Sequence, residues 1–331
     1  MSDVWVIQTQ ADPLGAIRRF LQDLWQQTKL EGLLAPVYQG ESGVIPQLVE
    51  KPEHIPEIDP CVPLMPVNAA RLVASQARRH PGVRFGAVLR SCEGRALSEI
   101  ARREALDLSS WLIIGVDCLA SFPVEDFDWR LQKAGSIEQL SRENLSHARQ
   151  GGIALHRFRN ACQMCTHPEA TKADLSLCLL GLPVKEIILV KAKDAQTASQ
   201  VGLSQITAGL ADPALVAQHE HMLETIHERR THTLERMISE LGTSLPDDVD
   251  SLIVHLTNCA PCRECLDACP IYASEVAQLG VEQPLTREAT MRWLVSCVSC
   301  GMCEQSCPNH LPLTAIVRRI KEQLIQETIA V

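Results

Sequence analysis

Eight cysteines near the end of the chain fall into two runs of the same spacing, Cys259-x2-Cys262-x2-Cys265-x3-Cys269-Pro270 and Cys297-x2-Cys300-x2-Cys303-x3-Cys307-Pro308. Three thiolates at intervals of three wrap one cubane [4Fe–4S] cluster, and a fourth after three more residues starts a helix that aims its sulfur at the other cube. The spacing therefore assigns Cys259, Cys262, Cys265 and Cys307 to one cluster, and Cys297, Cys300, Cys303 and Cys269 to a second. Pro270 and Pro308 fix φ where the chain turns away, and Gly301, between two ligands, suits close approach of backbone to sulfur. A pair of zinc sites is the competing reading, but zinc has no use for a third and fourth cysteine at these spacings, repeated twice. Clusters whose ligands are all thiolates leave iron no open position, which makes them wires and not catalysts.

This pattern is that of the bacterial ferredoxins. Residues 258–270 and 296–308 share spacing and trailing proline, so the module is a duplicated half. The insert between them, containing PLTREATMRWLVS, is longer than a minimal ferredoxin needs and reads as a helix; it resembles the loop-helix form found in subunits of larger redox complexes. The module is expected over 246–331, closing on a helix near 311–327.

At 331 residues the chain is too long for a bare ferredoxin, so the module is joined to something else. Hydrophobic content of 46% is ordinary for a globular protein, and no uninterrupted apolar run reaches the roughly 18 residues of a membrane span. An early Asp3 and no basic stretch before an apolar core argue against a secretory signal, so a cytoplasmic location is expected. There thiols stay reduced, and the 14 cysteines read as metal ligands rather than disulfides. A net charge of −9 without a basic stripe, and aromatic content of 4%, argue against a nucleic-acid partner.

The first part of the chain alternates strand and helix patterns: strands at 4–8, 33–39, 84–90, 111–117 and 186–192, helices at 14–29, 67–79 and 92–106. That rhythm gives an α/β domain with a mostly parallel or mixed sheet. Prolines and acids over 51–66 mark an ordered loop or a linker inside this domain and not a helix, 125–152 is helix-compatible in its middle, and the run IALHRFRNACQMC reads as strand-like. Residues 213–241 read as one long charged helix. The expected division is 1–205 for the α/β domain, 206–245 for a helical bridge and 246–331 for the two-cluster ferredoxin domain.

Four more cysteines lie in the α/β part: Cys92 and Cys118 at strand ends, and the pair Cys162-x2-Cys165. Strand C-termini of an open parallel sheet share one edge, so the four are candidates for one more [4Fe–4S] cluster. Buried apolar cysteines, a structural zinc and a redox-active Cys162/Cys165 pair stay open beside it. The segments RSCEGRAL, LIIGVDCL and CQMC followed by ADLSLCLLG resemble the beta subunits of coenzyme F420-reducing hydrogenases and formate dehydrogenases, over roughly 84–192 with a ferredoxin tail behind. The resemblance implies a [4Fe–4S] cluster on Cys92, Cys118, Cys162 and Cys165, beside FAD. No G-x-G-x-x-G opens a helix after a strand, so the flavin rests on the resemblance alone. The function expected is an iron–sulfur electron-transfer subunit of a redox complex, passing electrons to or from a formate dehydrogenase, hydrogenase or heterodisulfide-reductase-like partner. The alternative is a flavoprotein dehydrogenase acting on F420 or NAD(P).

Cys178, in LSLCLLG, reads as a buried small residue, Cys61 is assigned no role, and the histidines of 219–232 read as a solvated helix face without the H-E-x-x-H pattern. Arg90, Glu93, Arg95 and Asp117 flank the candidate ligands, where tuning of a cluster, contact with a flavin phosphate, and an ordinary ion pair explain them equally. No catalytic residue is identified.

Overall fold

The alternation of apolar runs and amphipathic stretches becomes a mixed sheet with helices in a computed structural model of the chain, which describes residues 3–40, 43–152, 158–241, 250–251, 254, 262–272 and 287–329. Among the described residues the sheet has seven strands: β1 (Val4–Gln8), β2 (Gly32–Gln39), β3 (Gly43–Val49), β4 (Phe85–Arg90), β5 (Trp111–Val116), β6 (Leu175–Cys178) and β7 (Ile187–Ala192). Their order is β1-β7-β6-β5-β4-β2-β3. The strands β2, β4, β5 and β6 run parallel at the centre, while β3, β7 and β1 add antiparallel pairings towards the edges. The fold class is therefore α/β with a mixed sheet, followed by helices.

Parallel neighbours need crossover helices, and these cover the sheet. Helix α1 (Pro13–Thr28) begins where the Asp12 carboxylate accepts the Gly15 N–H, with Pro13 in the first turn. Its apolar stripe buries Leu14, Ile17, Phe20, Leu21 and Leu24, side chains that contribute ~1.5–3 kcal/mol each on burial. They join the core formed by Val88, Leu112, Ile114, Val116, Leu175 and Leu177, alternate residues of β4, β5 and β6 that share one face of the sheet. Helix α2 (Ala70–Arg79) packs on α3 (Ser91–Glu104), and α3 packs on β4 and β5, whose residues are buried along their whole length. The segment 51–66 is ordered but not loop throughout, since Pro52–Glu57 forms a 3-10 helix; after it Asp59 N–H donates to the Pro36 carbonyl at 2.9 Å, and the Tyr38 hydroxyl donates to Asp59 Oδ2 at 2.8 Å.

Two units divide the chain, one of Met1–Phe158 and His167–His227, the other of Arg159–Thr166 and Glu228–Val331. The second unit holds the helices Glu264–Asp267, Arg287–Ser296, Met302–Gln305 and Leu313–Ile329. They pack around Leu266, Ile271, Trp293, Leu294, Ile316 and Val317. The run read as strand-like before Cys165 differs: residues 153–157 lie outside the described residues, and Asn160–Gln163 forms a helical turn. The residues 213–241 form one helix, Pro213–Leu241. Among the described residues no helix is long and apolar enough to cross a membrane.

Candidate metal centre

The duplication in the sequence is repeated in the backbone. Arg263 and Gly301 occupy equivalent places in the two runs, each directly after the second cysteine, and both adopt the left-handed conformation, with φ of 55° and 73°. Each then starts a single helical turn, Glu264–Asp267 and Met302–Gln305, from which the chain reaches the fourth cysteine. The turn carries Cys265 in one run and Cys303 in the other. At Gly301 a side chain has no room, since a Cβ there would sit 2.3 Å from that of Ala161.

Cys269, Cys297, Cys300 and Cys303 act on one another electrostatically. Burial pushes the Cys300 thiol up to about 12, and a charge on Cys269 adds to it. The Cys303 thiol is pushed well above its ordinary value by burial, then by Cys297, Cys269 and Cys300. Cys269 is raised by burial and by Cys297, while the N–H groups of Tyr272 and Trp293 act the other way. In the other set, Cys307 is buried at 7% exposure, Cys265 packs against the same apolar core, Cys262 is exposed, and Cys259 lies outside the described residues. Among the described residues no group of three or more His, Cys, Asp or Glu side chains is arranged around a single metal ion.

The donor set fits an iron–sulfur cluster. Thiolates crowded into an apolar core repel one another and lose hydration, a cost that iron cations offset and that otherwise holds the groups protonated. Soft thiolate ligands are also those that iron–sulfur chemistry selects. Several N–H groups reach the sulfurs of this set: Trp293 Nε1 donates to Cys269 Sγ at 3.3 Å, the Tyr272 amide donates to the same sulfur at 3.5 Å, the Ser299 amide donates to Cys297 Sγ at 3.3 Å, and the amides of Ile271 and Met302 bond to Cys269 and Cys300. None of these donors is marked by spacing or residue type, because packing brings them in from outside the cysteine runs or from a backbone amide within one.

Cys92 and Cys118 lie at one edge of the sheet. Arg90 pairs with Val116 at the ends of parallel β4 and β5, and each cysteine follows two residues on. Cys118 N–H donates to the Pro168 carbonyl at 2.8 Å, and Cys92 Sγ lies 3.9 Å from Met65 Sδ. Both cysteines belong to the first unit, whereas Cys162 and Cys165 belong to the second. There Arg159 donates to Cys162 Sγ at 3.5 Å and to Gln305 Oε1 at 3.0 Å, Asn160 donates to Glu304 Oε1 at 2.8 Å, and Arg230 donates to the Cys165 carbonyl at 2.9 Å.

Of the charged residues around Cys92, Arg90 and Glu93 bond to backbone and hydroxyl groups, while Asp117 Oδ2 lies 3.7 Å from Nδ1 of His219. The Glu93 carboxylate accepts the N–H groups of Arg90 and Ala69, a cap for the start of α3. The buried Arg90 guanidinium donates to the Val62 carbonyl and to Ser121 Oγ, and pairs with no carboxylate among the described residues. Asp117 Oδ2 accepts the N–H groups of Leu179 and Leu180 at 2.8 and 3.1 Å, and burial raises its carboxyl. His219 departs from the solvated face read for its segment: it is buried, with Nδ1 2.8 Å from the Leu180 carbonyl. Cys178 is a buried core residue, and Cys61 is too.

No family model and no curated protein match this chain. Among solved structures it is similar to a chain of the F420-reducing [NiFe] hydrogenase complex from Methanosarcina barkeri, studied by xenon derivatization, with a TM-score of 0.51 and 10% identity over 71% of this chain and 91% of that one. At that identity the likeness is one of fold.

Proposed function

We propose that the chain is an electron-carrying subunit of a multi-subunit redox complex, with two [4Fe–4S] clusters in its duplicated cysteine module. The observation that carries this reading is that Cys269, Cys297, Cys300 and Cys303 lie near enough to act on one another electrostatically, one cysteine from the first run with three from the second, and that Cys269, Cys300 and Cys303 are buried. Cys259, Cys262, Cys265 and Cys307 are the ligands proposed for the other cluster, on the repeat. When bound, such clusters store and pass single electrons. The chain's own residues supply thiolate at every ligand position, bury Cys269, Cys300, Cys303 and Cys307, and aim N–H groups at sulfur. The fold shared with a chain of a hydrogenase complex supports a place beside a catalytic subunit, such as a hydrogenase, a formate dehydrogenase or a heterodisulfide-reductase-like protein. A third cluster on Cys92, Cys118, Cys162 and Cys165 is proposed from the sequence resemblance alone. Reductive titration of anaerobically purified protein tests the reading. Uptake of at least about two electrons per chain, one for each of two cubanes, and their return to a one-electron acceptor are expected. A chain that takes up none is not a carrier.

A second reading, that the chain binds FAD and itself exchanges hydride with F420 or NAD(P), draws on Arg90. A buried guanidinium that meets no carboxylate among the described residues, at the start of α3, suits an anion such as a flavin phosphate. One flavin per chain with diaphorase turnover by the isolated protein selects this reading; clusters without flavin or turnover select the carrier.

A further inference from the structure

The two halves of the cysteine module match in spacing and in their left-handed caps, but they differ at the sulfur that crosses between them. Cys269 Sγ accepts hydrogen bonds from the Trp293 indole at 3.3 Å, from the Tyr272 amide at 3.5 Å and from the Ile271 amide. Cys307 is its equivalent in the second run, and its sulfur accepts none among the described residues. His310, the counterpart of Tyr272, gives its N–H to the Cys307 carbonyl instead, at 3.0 Å. Trp293 is 5% exposed, so its N–H has little water to bond and is costly to leave without an acceptor. It lies on the helix Arg287–Ser296, inside the insert that separates the two runs.

We propose that Trp293 is a positioning residue for redox tuning: its indole N–H, held against Cys269 Sγ by the insert helix, raises the reduction potential of the cluster on Cys269, Cys297, Cys300 and Cys303 above the value that cluster has without it. The inference rests on the cluster reading given above. A reduced cluster carries one more negative charge, shared with its ligand sulfurs, and a donor at sulfur stabilises that state more than the oxidised one. The insert, which a minimal two-cluster module does not need, thereby makes the two halves electrically unequal.

Trp293→Phe in the full chain removes the N–H while keeping a ring to meet Tyr272, whose centroid lies 5.6 Å away. EPR-monitored redox titration reads the result. At a fixed potential the reduced-to-oxidised ratio of one cluster should fall about tenfold, equivalent to about 59 mV for one electron, with the other cluster unmoved. Unmoved potentials at full iron content overturn the proposal. Should the variant lose iron, the unmutated chain decides. Grown with indole-15N tryptophan, its reduced protein should show 15N coupling to a cluster by pulsed EPR, and the absence of coupling overturns the proposal. An unmutated chain without any cubane signal overturns the cluster reading itself.

Discussion

Cys178 and Cys269 are buried to similar degree, at 5% and 8% exposure, and burial pushes both thiols up. What separates them is company: Cys269 acts on Cys300 and Cys303, whereas the charged groups acting on Cys178 are Asp117 and Lys191. Cys269→Ser is accordingly expected to cost the purified chain about four iron, one cubane, and Cys178→Ala none, as read by iron analysis. Asp59 makes a prediction in pH. Its carboxyl is fully buried, and burial raises its pKa despite the hydrogen bonds from Tyr38 and the Cys61 amide and the charge of Arg18. The folded state therefore holds this proton more tightly than the unfolded chain does. The stabilisation is complete below the unfolded value of about 3.9 and is lost as pH rises through the folded one. Urea unfolding of wild type against Asp59→Asn should show wild type losing stability relative to the variant as pH rises, by at most about 1.4 kcal/mol per unit; a constant difference would refute the assignment.

Among the elements, the repeated turns carry the sharpest contrast. Gly301→Ala places a methyl at φ 73° and against Ala161, so it should cost ~1–3 kcal/mol in chemical denaturation. Arg263→Gly, at the equivalent position with φ 55°, relieves a strained conformation and should cost little or nothing. The cysteine spacing located both runs and marked Gly301 for close approach of backbone to sulfur, but it placed the helix start at the fourth cysteine, whereas the helical turn carries the third. Strands β4 and β5 were readable too, as apolar runs bounded by polar residues, and so was the helix Pro213–Leu241. Strand β3 was not, because GVIPQLV carries Pro46, which an edge strand tolerates and a central one does not. The four residues of β6 are too few to show a period, so LSLC read as a buried run. The Asn160–Gln163 turn read as strand because apolar residues around a cysteine pair look alike in either state. Trp293 carried no signal as a sulfur donor, since its acceptor lies 24 residues away in sequence and only packing joins them.

For the whole molecule, a net charge of −9 makes a basic face the natural complement on a partner protein. Association with such a partner should weaken as salt rises, measurable as a fall in association rate. Iron, acid-labile sulfide and zinc content of anaerobically purified full-length protein tests the central claim most directly. About eight iron with equal sulfide are expected from the duplicated module, about twelve with the third cluster, and no zinc. Colourless protein with about two zinc and no sulfide would contradict it.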